Sequence, residues 1–262
     1  MKIIVNADDF GKSVEINRAI NDSYKRGFVN SIGIIINAEC VQNAVNQIDN
    51  GGGYWEDVHI HFNLSSNAIP LTTTISKDPY FCKNGLFKLF AYTPNRNIPS
   101  GCKQLFKWKM VYNELEAQYH RFLEMSHGRG DGSHIDFHVW YNLSLPVAIA
   151  LHHFIKNYNI KSARLIGFHQ MDVPRYRLFS RISSNPNLRC YQSTNMDYYL
   201  SHPEKFKNEE IVELYCHPEY KDNVLLDNSL SYLRHERQPL QTFVEKLRLM
   251  GNVEFISWKE IN

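Results

Sequence analysis

The stretch Lys2-Ile3-Ile4-Val5-Asn6-Ala7-Asp8-Asp9-Phe10-Gly11 sets a short apolar run against a pair of carboxylates and a glycine. A secretory segment needs about 7–15 apolar residues, so the start reads as a buried strand over 2–8 with no signal peptide. Residues 13–26 behind it carry a helical pattern, with Ser13 as a candidate cap and Gly27 as the stop. The same strand-then-helix order recurs. Further Val- and Ile-rich strands are expected at 31–37, 58–64, 134–140, 163–166, 212–216 and 253–258. Helices are expected at 112–125, 145–158 and 230–250, the last interrupted near Pro239. Repeated β–α alternation implies an α/β fold with a mainly parallel sheet, open or closed into a barrel. We expect a single domain over 1–262. Residues 70–107 lack regular pattern and read as an irregular excursion near the barrel mouth, the kind of long loop that often carries function.

Composition narrows the class. With 43% hydrophobic and 21% charged residues in 262, the chain is ordinary globular material, not a disordered one. A formal charge of +2 without a polybasic run argues against a nucleic-acid partner. No segment reaches the roughly 18–20 apolar residues of a membrane span. Cys40, Cys82, Cys102, Cys190 and Cys216 are odd in number and form no CxxC pair, so a reduced, cytoplasmic protein is expected. The 13% of aromatic residues suits either a heavy core or a cleft that stacks rings on sugar faces.

In a parallel α/β fold the chemistry gathers at the C-terminal ends of strands. Four expected strands bring acids and imidazoles there: Asp8 and Asp9; His59, His61 and Asn63; His134, Asp136 and His138; and His217 leading into Pro218-Glu219. Such residues are metal ligands and also acids and bases near neutral pH. Singly each is a weak signal. An Asp pair often caps a loop, and His59 and His134 read as packing or hydrogen-bonding residues. Residues two apart on a strand lie about 6.6–7 Å apart on one face, so His134 and His138, about 13 Å apart, cannot both reach one ion. Asp136 is better placed to orient a histidine than to bind the ion. Asp8 and Asp9 diverge on a regular strand and serve one site only if the strand ends there. Cys216 points away from the side of its neighbour His217 and reads as core.

Taken in order, these residues resemble the YdjC-like carbohydrate deacetylases, which include chitooligosaccharide deacetylases of the ChbG type. The likeness begins at Asn6-Ala7-Asp8-Asp9-Phe10-Gly11 and continues through Ser13, Asn17, Gly27, Asn37 and His61-Phe62-Asn63-Leu64. It then takes in Gly85-Leu86-Phe87, Glu114 to Gln118, His134-Ile135-Asp136, Arg164 and Glu213 to Pro218, covering residues 2 to about 220. The resemblance implies a distorted TIM-like (β/α) barrel of the polysaccharide-deacetylase type with its active site at the C-terminal ends of the strands. It implies one divalent ion, Zn²⁺ or Mg²⁺, on Asp9, His61 and His138, with Asp8 as catalytic base and His217 as acid. Asn63, Asp136 and Arg164 are candidates for touching substrate or supporting the residues that do. The implied activity is removal of an acetyl group from an N-acetylated sugar or oligosaccharide. A homodimer is compatible with the sequence.

Some positions depart from the family's pattern: His59 stands for a usual Gly, Phe137 for a small residue, Val139-Trp140-Tyr141-Asn142 for further histidines, and Glu219 for a small residue after Pro218. They leave open a metal-dependent hydrolase of another amide or an ester, or an inactive sugar-binding protein.

Overall fold

The structure is a computed structural model that describes residues 1–66, 68–88, 104–139, 144–164, 178, 181–183, 188–228, 238–251 and 253–261. Residues 89–103 of the long excursion, 140–142 after the His134 block, 165–166 of one expected strand and 230–237 of the last expected helix lie outside these. In chain order the strands are β1 (Lys2–Phe10), β2 (Ser31–Ile34), β3 (Val58–Phe62), β4 (Cys82–Lys83), β5 (Leu86–Phe87), β6 (Asp131–Phe137) and β7 (Ser162–Ala163). They continue with β8 (Gln192–Asn195), β9 (Ile211–Cys216), β10 (Pro218–Lys221), β11 (Val224–Asp227), β12 (Gln238–Pro239) and β13 (Glu254–Phe255). The helices are α1 (Val14–Lys25), α2 (Val41–Asn50), α3 (Thr73–Ser76), α4 (Trp108–Met125), α5 (Leu145–Asn157), α6 (Met196–Ser201) and α7 (Leu240–Leu249).

Seven parallel strands run in the order β7-β6-β3-β2-β1-β9-β8, and β13 pairs with the start of β1. Beyond the β7 edge an isolated bridge reaches Arg189, three residues ahead of β8: its N–H donates to Lys161 O (2.8 Å) and its carbonyl accepts from Ala163 N (3.1 Å). The described strands form the distorted TIM-like barrel expected above, with seven strands along the curled sheet where a full TIM barrel has eight. β8 was not foreseen, because Gln-Ser-Thr-Asn contains no apolar run. Helix α1 starts where Ser13 caps it, the Ser13 hydroxyl accepting from Ile16 N at 3.2 Å. No helix among the described residues is long and apolar enough to cross a membrane.

Strand alternation splits the barrel into two chemistries. Outward residues such as Val5 and Ala7 of β1, Ile60 and Phe62 of β3, and Val212 and Leu214 of β9 join one large apolar core with Ile20 of α1, Phe122 of α4 and Phe154 of α5. The inner face begins with a small separate apolar cluster of Ile4, Ile211, Ile256 and Trp258. Beyond it the same face turns polar: Asn6 and Asp8, His59 and His61, His134 and Asp136, and Glu213 are all buried. TIM-type interiors are usually filled by branched apolar side chains. A polar filling is stable only if its groups satisfy one another, and that requirement organises the site.

Candidate active site

The end of β1 solves the problem of its two acids. The β1–β2 register shifts between Ala7 and Phe10, and Asp9 takes φ 77°, in the left-handed region. Such a conformation is uncommon for a residue other than glycine and carries local strain. It breaks the alternation that would otherwise send the neighbouring carboxylates apart, and Asp8 and Asp9 line one pocket together with Lys12, Ile16, His138 and His217. Gly11 follows at φ 104°, where an added Cβ would sit 2.8 Å from Ile35 O, so glycine is required twice over.

His61 comes from the end of β3, and Gly33 on the neighbouring β2 makes room for it: a Cβ there would meet the His61 ring at about 3.3 Å. β6 ends at Phe137, and His138 follows in a bend whose N–H donates to Phe62 O at 3.0 Å. Donor atoms of Asp9, His61 and His138 lie within 4.8 Å of one another. His138 Nδ1 is 2.5 Å and His61 Nε2 3.6 Å from Asp9 Oδ1. All three atoms are buried with no hydrogen-bond partner of acceptable geometry. Three such bare donors converging, two imidazole and one carboxylate, are the chemistry of a divalent-ion site, so the residues fit the ion that the family resemblance implies. Lys12 Nζ, at 2.9 Å, occupies the other oxygen, Asp9 Oδ2.

Behind this trio lies a charge network. Asp136 Oδ1 is 2.6 Å from His61 Nδ1, an arrangement that would orient the imidazole if Nε2 bound an ion. Asp136 Oδ2 pairs with Arg164 Nη2 and lies 3.2 Å from His59 Nε2. Arg164, 1% exposed, also donates to Asp8 Oδ1 at 2.6 Å and lies 3.5 Å from Glu213. Asn6 Nδ2 donates to the same Asp8 oxygen at 2.7 Å. The remaining Asp8 oxygen faces His217 Nε2 at 3.8 Å. His217 is the exposed member, its side chain 31% accessible. Its backbone N–H donates to Asp227 Oδ1 at 2.9 Å, which fixes the turn out of β9.

The electrostatics follow. Burial alone would raise the Asp9 carboxyl, but the charge of His138 and the contacts with His138 and His61 hold it well below the usual range. Burial would lower His61, yet Asp136 and Asp8 outweigh it and raise the imidazole to about 10. Burial likewise opposes ionisation of Asp136, and His61, Arg164 and His59 overcome it. Arg164 is held firmly charged against burial by Asp8, Glu213 and Asp136. Glu213, farthest from the guanidinium, is pushed by burial up to about 8.

Other candidates fall elsewhere. Asn63 accepts from Ser65 N and Oγ through its side chain, holding the turn after β3, and is not among the pocket residues. His134 stacks on Trp258 (3.6 Å between ring centres) and pairs with Ser162 Oγ at 3.0 Å. His59 pairs with Ser31 Oγ at 3.3 Å. Both are fully buried, and together with Asp136 they form a second histidine–carboxylate group. Cys216 is fully buried with its thiol on Asn6 O, and burial raises its pKa. Sequence reasoning missed Glu213, Lys12 and Asn6 as members of the site. Polar residues at period two in Asn6-x-Asp8 and Glu213-x-Tyr215-x-His217 were the available signal.

A family model described as YdjC-like protein matches residues 2–244. The chain belongs to the YdjC-like family. Among curated proteins, this YdjC-like chain is 25% identical to carbohydrate deacetylase 2 of Listeria innocua, over 100% of the chain and 99% of that protein. It is 27% identical to a carbohydrate deacetylase of Vibrio parahaemolyticus, covering 90% of the chain and 85% of that protein. It is 23% identical to a chitooligosaccharide deacetylase of Salmonella dublin, covering 88% and 87% respectively. A crystal structure from Enterococcus faecalis, described provisionally as a cellobiose-phosphate cleavage protein, superposes with a TM-score of 0.68 over 99% of this chain and 98% of that one, at 18% identity. That likeness shows a shared fold.

Arg164 is the keystone of the buried network. Replacing it with Met keeps much of the stem's volume and strips the cation from Asp8, Asp136 and Glu213. Removing one partner of a buried ion pair costs about 3–5 kcal/mol. Asp136 and Glu213, which the guanidinium holds down, would then titrate at raised pKa in the folded state. A raised folded pKa gives stability that is present at low pH and lost as pH rises, so the deficit of Arg164→Met should be larger at pH 8 than at pH 5. Urea unfolding at the two pH values measures it, and equal deficits would remove Arg164 from this role.

Proposed function

We propose that this protein is a metal-dependent hydrolase that removes an acetyl group from an N-acetylated sugar or oligosaccharide. The observation that carries the reading is the convergence of Asp9, His61 and His138 donor atoms, bare and buried, in the pocket that also holds Asp8 and His217. The deacetylase names of its curated relatives supply the substrate class. Asp9 Oδ1, His61 Nε2 and His138 Nδ1 would hold the ion. Bound there, a dication acidifies a water, polarises the amide carbonyl and stabilises the developing oxyanion.

The chain's own residues do the rest. Asp8, paired with Arg164 and oriented by Asn6, takes the proton of the attacking water. His217, at the solvent-facing side of the pocket, gives a proton to the departing sugar amine. Asp136 keeps His61 in the tautomer that binds through Nε2. Acetate release from a panel of N-acetylated sugars, with and without added Zn²⁺ or Mg²⁺, tests the reading. Metal-stimulated release supports it, and turnover of only acetyl esters or non-sugar amides would move the protein to another hydrolase class.

Ion binding should release protons. With His61 raised to about 10 in the ion-free chain, its Nε2 carries a proton at neutral pH that an ion must displace. Affinity therefore rises with pH, by about tenfold per unit for one displaced proton. Calorimetry in buffers of different ionisation enthalpy should show at least one proton leaving per ion bound at pH 7. A pH-independent affinity would take His61 out of the ligand set.

A further inference from the structure

We propose that Glu219 and Asn228 form a sugar subsite beside His217, binding the free hydroxyls of the substrate's ring. The inference rests on the deacetylase reading and adds the contact that selects a sugar. Both residues line the same pocket as Asp8, Asp9 and His138, and both are half-buried. They stand at the base of the β10–β11 hairpin, where Glu219 faces Leu226 in the antiparallel register. Asn228 Nδ2 donates to Glu219 Oε2 at 2.6 Å. That bond takes up one of the two Nδ2 hydrogens and fixes the amide plane, and Asn228 Oδ1 is buried without a hydrogen-bond partner.

The wall thus offers two acceptors, a carboxylate and an amide oxygen, beside the second Asn228 Nδ2 hydrogen. An acceptor pair recognises a ligand that presents donors, and adjacent hydroxyls on a sugar ring do this for two oxygens at once. A phosphate or carboxylate, having acceptors only, would meet the negative charge of Glu219 there. An apolar acyl chain would leave Asn228 Oδ1 unsatisfied.

The hairpin is also held still. Asn228 N donates to His217 O at 2.9 Å, and Asp227 Oδ1 accepts from His217 N at 2.9 Å. Tyr220 donates to Asp22 of α1 at 2.7 Å, with the Arg18 guanidinium 4.6 Å over its ring. A subsite fixed in this way binds without first paying to order itself, and it ties the sugar's position to that of the acid His217.

A bland alternative is that Glu219 only braces Asn228 and, through its backbone, His217. The two roles separate on substrate. Glu219→Ala and Glu219→Gln would be assayed, as ion-loaded proteins, on the N-acetylglucosamine disaccharide and on acetanilide, a non-sugar amide that needs the same protonation. Loss of sugar contacts should lower the ratio of kcat/KM for disaccharide over acetanilide about 10–100-fold in Glu219→Ala, the worth of one or two hydrogen bonds to a charged acceptor. The loss should appear in KM and be smaller in Glu219→Gln. An equal fall on both substrates, or a fall in kcat alone, overturns the subsite in favour of bracing. Calorimetry of the disaccharide with His217→Ala, alone and combined with Glu219→Ala, reads binding without turnover. A 10–100-fold weaker affinity in the double variant supports the subsite even if the parent protein releases no acetate, a result that would sink the deacetylase reading instead. An unchanged affinity overturns the subsite whatever the reaction proves to be.

Discussion

His138→Ala should lose its bound ion and all measurable acetate release, while His134→Ala should keep the ion. The two histidines bracket Asp136 symmetrically in sequence, and only their surroundings separate them. His138 lies past the end of β6, and its Nδ1 meets Asp9 Oδ1 at 2.5 Å at the pocket surface. His134 is fully buried, stacked on Trp258 and bonded to Ser162. Deleting a ligand from a three-residue site leaves two, too few to hold a dication against solvent, and removes the polarisation on which amide hydrolysis depends. Deleting His134 opens a cavity in the barrel floor and lowers stability without touching the trio. Elemental analysis of both variants, folded and below their melting temperatures, decides it. The competing possibility is that the ion belongs to the buried group of His59, His134 and Asp136. Ion loss in His134→Ala with retention in His138→Ala would select that group. Arg164 on Asp136 Oδ2 argues against it, because a second cation there would meet a charge already in place.

His217→Ala should lower kcat on an N-acetylated sugar by about 10²–10⁴, the usual worth of one acid–base group, with ion content unchanged. An amine leaves as a neutral molecule only if it is protonated, and an ion acting on the carbonyl does not supply that proton. Among the pocket residues His217 is the histidine outside the ligand trio, it is partly exposed, and its Nε2 faces Asp8 at 3.8 Å. The pH–rate profile of the parent should be bell-shaped, the acid limb reporting the base and the alkaline limb the acid, and His217→Ala should lose the alkaline limb. On an activated acetyl ester, whose leaving group needs no proton, the deficit should shrink to a few-fold. Parent-level amide hydrolysis by His217→Ala would remove the assigned acid.

The parallel α/β frame was legible because its outward faces are apolar at period two between amphipathic helices, as in Ile3-x-Val5-x-Ala7 of β1. The strand ends also announced the acids and imidazoles. Other features depend on contacts that close only in three dimensions. The left-handed Asp9 that brings two adjacent carboxylates together is a backbone choice that no residue type dictates. Arg164, expected as either a clamp on Asp8 or a substrate contact, ties Asp8, Asp136 and Glu213 together from a strand distant in sequence. Glu213 and His59 look like strand filler in one dimension, since a buried polar residue reveals its purpose only through its partner. β8 escaped because its four polar residues gain their ladder from β9, a partner that only the fold brings alongside.

The central claim is that an ion held by Asp9, His61 and His138 is required for acetyl removal. Its most direct test is to strip the protein with a chelator, restore Zn²⁺ or Mg²⁺ in sub-stoichiometric steps, and follow acetate release from an N-acetylated oligosaccharide against bound ion. The rate should rise in proportion and level off at about one ion per chain, as expected for a single three-ligand site, with no rise in His138→Ala. Full acetate release by the ion-free parent protein would contradict the account.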